Sequence, residues 1–409
     1  MRRVGSNCDT PAEAGSKEGV FVQEQISLDR YDVIIAGARC AGASTAMLLA
    51  RQGLRVLVVD PAKRGSDTLS THALMRGGVL QLHRWGVLDA IRSAGTPAIR
   101  TTTFHYGDEV ISIPIKERDG VDALYAPRRT VLDEALADAA TAAGAEVVYG
   151  RSLVDLIMGD DGRVRGARIA GSDQQPRDVA ADLVIGADGI RSRVARLLEL
   201  GLEHTVPHTT ASIYGYWKEL GLEGNHWYYE LGAAVGSIPT NDDETCVFAS
   251  VPQDRFEAER ENGLEPLYRE ILGDVSADLA KRVAASSGPG KLRAFAGTPG
   301  FLRRAAGPGW ALVGDAGYFR DPLTAHGITD ALRDAEILAR AVAESTDEAL
   351  VRYDEERYER VRGFFEITDR IASFDWDMDQ VKEDHLVLAR EMNGLVETQR
   401  AFDTVGQPG

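Results

Sequence analysis

The sequence predicts an α/β fold: a parallel sheet built from strand–turn–helix units, with an inserted, mostly antiparallel β-sheet and a C-terminal helical tail. Three observations carry that prediction. Short apolar runs meet glycine turns and small-residue helices near residues 31–60, 182–189 and 310–343, as parallel strands buried on both faces do. Residues 101–115 alternate in polarity and 210–252 hold short, aromatic-rich runs, which reads as a second, differently built sheet. Glycine supplies 42 of 409 residues, above the roughly 7% average, which suggests backbone packed closely on ligands or neighbouring elements.

Residues 1–29 are rich in Glu, Gly, Ser and Ala without a period and read as a flexible leader. Tyr31 to Ala36 is the first buried strand. A helix follows from Cys40 to Arg51, Gly53 ends it, and Leu54 to Val59 form a second strand closing on Asp60. Thr101–Tyr106 and Val110–Ile115 flank the turn Gly107-Asp108 as a hairpin. A helix from Thr130 to Ala143 has capping-box spacing between Thr130 and Asp133, stops at Gly144 and leads to the strand Glu146–Tyr149. Strands at Asp182–Gly186 and Trp310–Gly314 and a helix at Gly327–Ala343 complete the first sheet's set. The charged tail after 345 offers Phe364, Phe365 and Trp376 as packing anchors. The expected division is 30–100, 123–205 and 294–345 for a discontinuous nucleotide-binding domain, 101–122 and 206–293 for a substrate domain, and 346–409 for the tail.

Composition excludes several functions. With 46 Lys+Arg against 63 Asp+Glu, a net charge of −17 disfavours nucleic acid or anionic membrane as partner. Only Cys8, Cys40 and Cys246 occur, with no C-x-x-C or H-E-x-x-H spacing, so neither a disulfide scaffold nor a metal site is expected. No apolar run approaches the roughly 18 residues of a membrane span. Arg2 and Arg3 lack a following apolar region, and the default location is cytoplasmic.

Gly37-Ala38-Arg39-Cys40-Ala41-Gly42 lies between strand and helix, where a Rossmann-like dinucleotide site places G-x-G-x-x-G. Such a turn aims free helix N–H groups at a pyrophosphate, and Gly42 lets the helix close on the sheet. Asp60, 18 residues past Gly42, stands where a carboxylate accepts ribose hydroxyls. Arg39 occupies the second glycine's position, so its Cβ crowds the phosphate approach while its guanidinium can compensate. Cys40 reads as a small packing residue.

Two further segments carry a family resemblance. Gly186-Ala187-Asp188-Gly189-Ile190-Arg191-Ser192-Arg193-Val194 resembles the D-G-x-x-S-x-V-R segment of the FAD-dependent monooxygenases typified by para-hydroxybenzoate hydroxylase. Ala195 stands at the final arginine and Arg196 comes one residue late. Gly314-Asp315-Ala316, with Pro322, Gly327, Ile328 and Asp334-Ala335, resembles that family's G-D-A…P-x-x-G-x-G-x-N…D-A, with Ala325 and Thr329 as departures. The resemblance implies that Asp315 binds the ribityl or ribose region of FAD, that Asp188 and Gly189 touch flavin and nicotinamide nucleotides, and that Pro322 and the Gly327 turn border the flavin ring. Arg129 resembles the family arginine at the start of a helix touching FAD, and Arg76 that of an R-x-G-V-L segment near the cofactor.

The implied reaction is monooxygenation. NAD(P)H reduces FAD, O2 adds as a C4a-hydroperoxide, and one oxygen passes to an aromatic or polycyclic substrate. His326, beside Pro322 at the expected ring edge, and His226, among Trp227, Tyr228 and Tyr229, are the candidate catalytic side chains. No separate nicotinamide unit is visible, so an external flavin reductase is the alternative electron source. The rival readings are a carbon–carbon double-bond reductase of the geranylgeranyl reductase type, a halogenase (which lacks its Trp-x-Trp-x-Ile-Pro segment here) and a non-enzymatic FAD-binding protein.

Overall fold

The computed structural model describes residues 26–171, 174–288 and 291–402; Cys8 and residues 1–25 of the expected leader lie outside them. The last leader residues are pinned to the first sheet, where the Ser27 backbone N–H donates to Glu146 at 2.8 Å and the Tyr31 hydroxyl at 2.6 Å. That sheet runs, in spatial order, Ala306–Gly307, Trp310–Leu312, 174–186, Arg30–Ala36, Val56–Asp60, Glu146–Tyr149. The five strands from Trp310–Leu312 to Glu146–Tyr149 are parallel, with Val33 opposite Val56 and Ala36 opposite Gly186. Alternation splits their side chains between two layers. Val33, Ile35 and Val58 face the helices Cys40–Arg51, Arg129–Ala142 and Gly327–Ala343. Ile34, Leu57 and Val59 face the hairpin Arg151–Met158 and Val164–Gly171. Burial on both sides explains the unbroken apolar runs.

The second sheet orders Arg293–Phe295, Thr210–Lys218, Glu244–Pro252, Ala233–Pro239, Asn225–Glu230, Thr101–Tyr106, Glu109–Pro114. All its pairs are antiparallel except Asn225–Glu230 with Thr101–Tyr106. One face packs under the helices Leu264–Val275 and Ala277–Ala285 through Trp217, Tyr228 and Val235; the other turns Tyr214, Trp227 and Phe248 toward the first sheet. Two C-terminal helices, Asp347–Ala372 and Met378–Ala401, pack on each other, the first also against Gly327–Ala343; Phe364 and Phe365 of the first and Trp376 of the connection are buried. Among the described residues, no helix is long and apolar enough to cross a membrane.

Three local expectations need correction. The helix expected from Thr130 starts at Arg129 after Arg128, with no side-chain cap, because the Asp133 carboxylate is taken by Arg129 at 3.0 Å and the Cys40 thiol at 3.1 Å. The strand expected at Asp182 begins at Gln174, since its first half pairs with Val164–Gly171 before its second half joins the parallel sheet. The strand from Trp310 ends at Leu312, and Gly314, at φ +59°, turns the chain into a short 3₁₀ segment.

Candidate active site

A cleft of about 850 Å³ runs from the carboxyl ends of the parallel strands to the aromatic face of the second sheet. Its size lies within the ~300–1,000 Å³ of small-molecule and cofactor sites, and its position is where open α/β sheets bind ligands.

One end is the glycine turn. Gly37, at φ +108°, sits so close to the neighbouring strand that a Cβ would lie 2.4 Å from the Ala187 carbonyl oxygen, and one on Gly42 would lie 1.8 Å from that of Gly37. Only glycine fits either place. Asp60 fixes the turn, its two carboxylate oxygens accepting from the backbone N–H groups of Ala38 and Ala62 at 2.8 Å each. Gly37, Arg39, Cys40, Ala41 and Asp60 line the cleft, while Ala38 and Gly42 support it from behind. Arg39 directs its guanidinium to the Thr68 hydroxyl at 2.5 Å. Burial holds the Cys40 thiol protonated, consistent with packing.

The middle of the cleft gathers Arg129, Asp188, Gly189 and Asp315. Asp188 accepts from the Arg193 backbone N–H at 2.6 Å, and its Oδ1 is buried with no partner among the described residues, an acceptor left for a ligand. Asp315 is half-buried; desolvation, helped by nearby Asp330 and opposed by Arg129, pushes its carboxyl up to about 7. The far end holds Pro322, Ala325, Gly327 and Ile328, where the helix Gly327–Ala343 points its positive N-terminus inward. Ala325, in the position of a family glycine, keeps the left-handed backbone, φ +55°. Gly314 packs its backbone on Ala41 and Ala331 just outside the lining.

Three expected residues fall elsewhere. His326 does not line the cleft: its ring packs on Phe364, 4.7 Å between centroids, and its Nδ1–H donates to the Thr324 carbonyl at 2.5 Å. His226 shares the outer face of its strand with Tyr228, and its Nδ1 lies 3.1 Å from the His105 Nε2, because the inward face belongs to Trp227 and Tyr229. Arg76 spends its guanidinium on the carbonyls of Val121 and Lys116, bracing a loop. None of the three is among the cleft-lining residues.

The opposite wall joins Tyr214 and Trp227, from the aromatic-rich runs, to residues the sequence did not single out. Phe248, Phe295 and Phe319 extend the aromatic surface, interrupted by the Ser212–Ser250 hydroxyl pair at 2.6 Å. Gly236 leaves room for Phe248, since a Cβ there would lie 2.2 Å from its ring. Arg320, 5% exposed, stacks on Phe364 and pairs with Asp330, which also binds Arg333 at 2.7 Å. Burial alone would raise the Asp330 carboxyl; the two guanidiniums outweigh it and hold it below its ordinary value. Composition gave no sign of this buried charge chain, because each member is an ordinary charged residue until the helix stacks them.

The family model described as FAD binding domain matches residues 30–368. The chain is 26% identical over 348 residues to the digeranylgeranylglycerophospholipid reductase of Methanosarcina mazei, covering 80% of this chain and 79% of that protein. It is 28% identical over 338 residues to the menaquinone reductase of Mycolicibacterium smegmatis, 76% of each chain. In structure it resembles a Pseudomonas aeruginosa protein described as a probable FAD-dependent monooxygenase, with TM-score 0.73, 21% identity, 89% of this chain and 100% of that one. The structural likeness, at that identity, concerns the fold.

Proposed function

We propose, from the premise that the chain belongs to the FAD binding domain family, that this oxidoreductase is a monooxygenase using NAD(P)H and O2 to hydroxylate or epoxidise an aromatic or polycyclic small molecule. The observation carrying this reading is the mixed wall over the cleft: Tyr214, Trp227 and Phe248 offer planar apolar surface, while Ser212 and Ser250 add fixed polar contacts. Such a wall suits a planar, oxygen-bearing molecule, whose oxygen can take the one hydroxyl hydrogen that the Ser212–Ser250 pair leaves unused; a wholly hydrocarbon chain offers it no acceptor.

FAD, when bound, supplies the redox chemistry, accepting reducing equivalents and activating O2. The chain's own residues hold and shield it. The turn Gly37–Gly42 and Asp60 take the adenosine diphosphate end, with Arg129, Asp188 and Asp315 along the middle and the helix start at Gly327 placing positive N–H dipoles at the far end. The aromatic wall excludes water from the reacting end. In this reading residues 30–100, 123–205 and 294–345 hold FAD, 101–122 and 206–293 hold substrate, and the tail helices Asp347–Ala372 and Met378–Ala401 buttress them.

A second reading, saturation of a carbon–carbon double bond, is favoured by the names of the two curated relatives, both reductases. One experiment separates them. FAD-loaded protein is supplied with NADH or NADPH, ¹⁸O2 and a panel of planar phenols and prenylated quinones. Product carrying ¹⁸O is the expected result; a saturated double bond formed anaerobically, without oxygen incorporation, replaces the proposal with the reductase. Direct bleaching of the flavin by NAD(P)H tests whether a separate reductase partner is needed.

A further inference from the structure

His72 lies in the cleft lining on the loop after Val56–Asp60, yet is only 1% exposed. Its backbone sits at φ +67°, a conformation a non-glycine residue adopts at a cost and keeps only when its surroundings impose it. Hydrogen bonds hold the loop at and just before that strain: the Ser70 N–H donates to the Tyr214 hydroxyl of the second sheet at 3.1 Å, and the His72 N–H to the Ser70 hydroxyl at 3.0 Å. The imidazole Nε2 is 2.5 Å from the Tyr216 hydroxyl, and the two rings stack. Nδ1 is buried with no hydrogen-bond partner among the described residues.

The state of that nitrogen follows from its partner. Among the described residues the Tyr216 hydroxyl has no hydrogen-bond partner other than His72. Donating to Nε2 leaves one group unpaired, the Nδ1–H, whereas accepting from an Nε2–H would leave two, the phenol O–H and the Nδ1 lone pair, so donation is favoured. A neutral imidazole accepting at Nε2 carries its hydrogen on Nδ1. Burial, reinforced by Arg128 and Arg129, pushes His72 down to about 3, so it stays neutral at ordinary pH. Burial also holds the Tyr216 phenol well above its ordinary range, so it remains a donor. Arg128 stacks over the Tyr216 ring at 3.8 Å and is held by Glu244 at 2.8 Å, which fixes the pair in place.

We propose that His72 is the substrate-reading donor of this cleft: its Nδ1–H meets an acceptor oxygen, phenolic or quinone-type, on a planar ligand seated against Tyr214, Trp227 and Phe248. A buried N–H without an acceptor is costly, and a ligand that supplies one gains what an oxygen-free analogue loses. The nearby guanidiniums favour an oxygen with negative character. The inference rests on the reading of this cleft as the substrate site beside FAD, and it names the substrate class.

The test uses FAD-loaded protein titrated with 2-naphthol and with naphthalene, which differ by the one hydroxyl, following the flavin absorption band. Wild type should bind 2-naphthol on the order of tenfold more tightly, and His72→Phe should abolish the difference while retaining FAD. Equal affinity in wild type, including no binding of either, overturns the inference, as does undiminished discrimination in His72→Phe. Loss of FAD from that otherwise folded variant also overturns it, by assigning the donor to the cofactor. If His72→Phe does not fold, Tyr216→Phe carries the test: it frees the imidazole tautomer and should cut discrimination about threefold or more, and an unchanged ratio overturns the proposal. Failure of wild type to bind FAD at all would instead refute the cleft assignment itself.

Discussion

Asp60 holds the glycine turn through Ala38 and Ala62, and under the proposed assignment it also takes ribose hydroxyls. Asp60→Ala should therefore weaken FAD by roughly one to three decades, read by quenching of flavin fluorescence on titration. Undiminished affinity would show that the carboxylate serves the turn alone. Asp315 gives a pH-dependent counterpart. Its carboxyl is raised to about 7 in the folded chain against an ordinary 3.8, so the native state holds its proton more tightly than the unfolded chain. Its contribution to stability is then fully present below about 3.8 and lost as pH rises through about 7. In the FAD-free protein, Asp315→Asn should lack that loss, so its melting temperature should gain on wild type between pH 5 and 8. A constant difference across that range would contradict the protonation assigned here. At this scale the sequence marked Asp60, Asp188 and Asp315 through their motif positions but overlooked His72, whose use depends on a hydroxyl 144 residues away.

Elements bring these residues together by close approach. The helix Cys40–Arg51 packs against both Arg129–Ala142 and Gly327–Ala343, and small residues make this feasible: Ala43 and Ala46 are buried beneath them. Gly42 stands at the tightest point, against the Gly37 carbonyl. Gly42→Ala should destabilise the FAD-free protein by about 2–4 kcal/mol through overpacking against backbone that cannot yield. It should also lower flavin occupancy, because relief requires the phosphate turn to shift. Denaturant unfolding and the ratio of flavin to protein absorbance check both. A variant with full flavin and unchanged midpoint would mean the turn is softer than its contacts imply.

For the whole molecule, the cleft lies at a seam. The parallel sheet, the aromatic sheet and the loop carrying His72 each contribute one wall, and the tail helices clamp the rear through Arg357, which is 1% exposed and donates to the carbonyls of Arg303 and Gly317. A ligand spanning such a seam stabilises all its walls together. FAD at a hundred times its dissociation constant should add about 2.7 kcal/mol, seen as a melting temperature raised by a few degrees and dependent on FAD concentration. No shift on saturation would argue against cofactor binding in this cleft.

The amino-acid sequence by itself determined the α/β class, the strand–turn–helix unit at Arg30–Asp60 and the places of Gly37, Gly42 and Asp60 around its turn, because these depend on short spacing and on backbone conformations only glycine takes easily, whereas Asp315 was marked by family resemblance alone. The tertiary structure decided which way the second sheet faces. Side chains alternate along a strand, so His226 and Trp227, adjacent in sequence, go to opposite faces, and only the docking of that sheet makes Trp227's side the cleft. It likewise turned His326 onto Phe364 and Arg76 onto carbonyls of a distant loop, and seated His72 against Tyr216. Those outcomes rest on contacts between residues far apart in the chain, which local pattern does not encode.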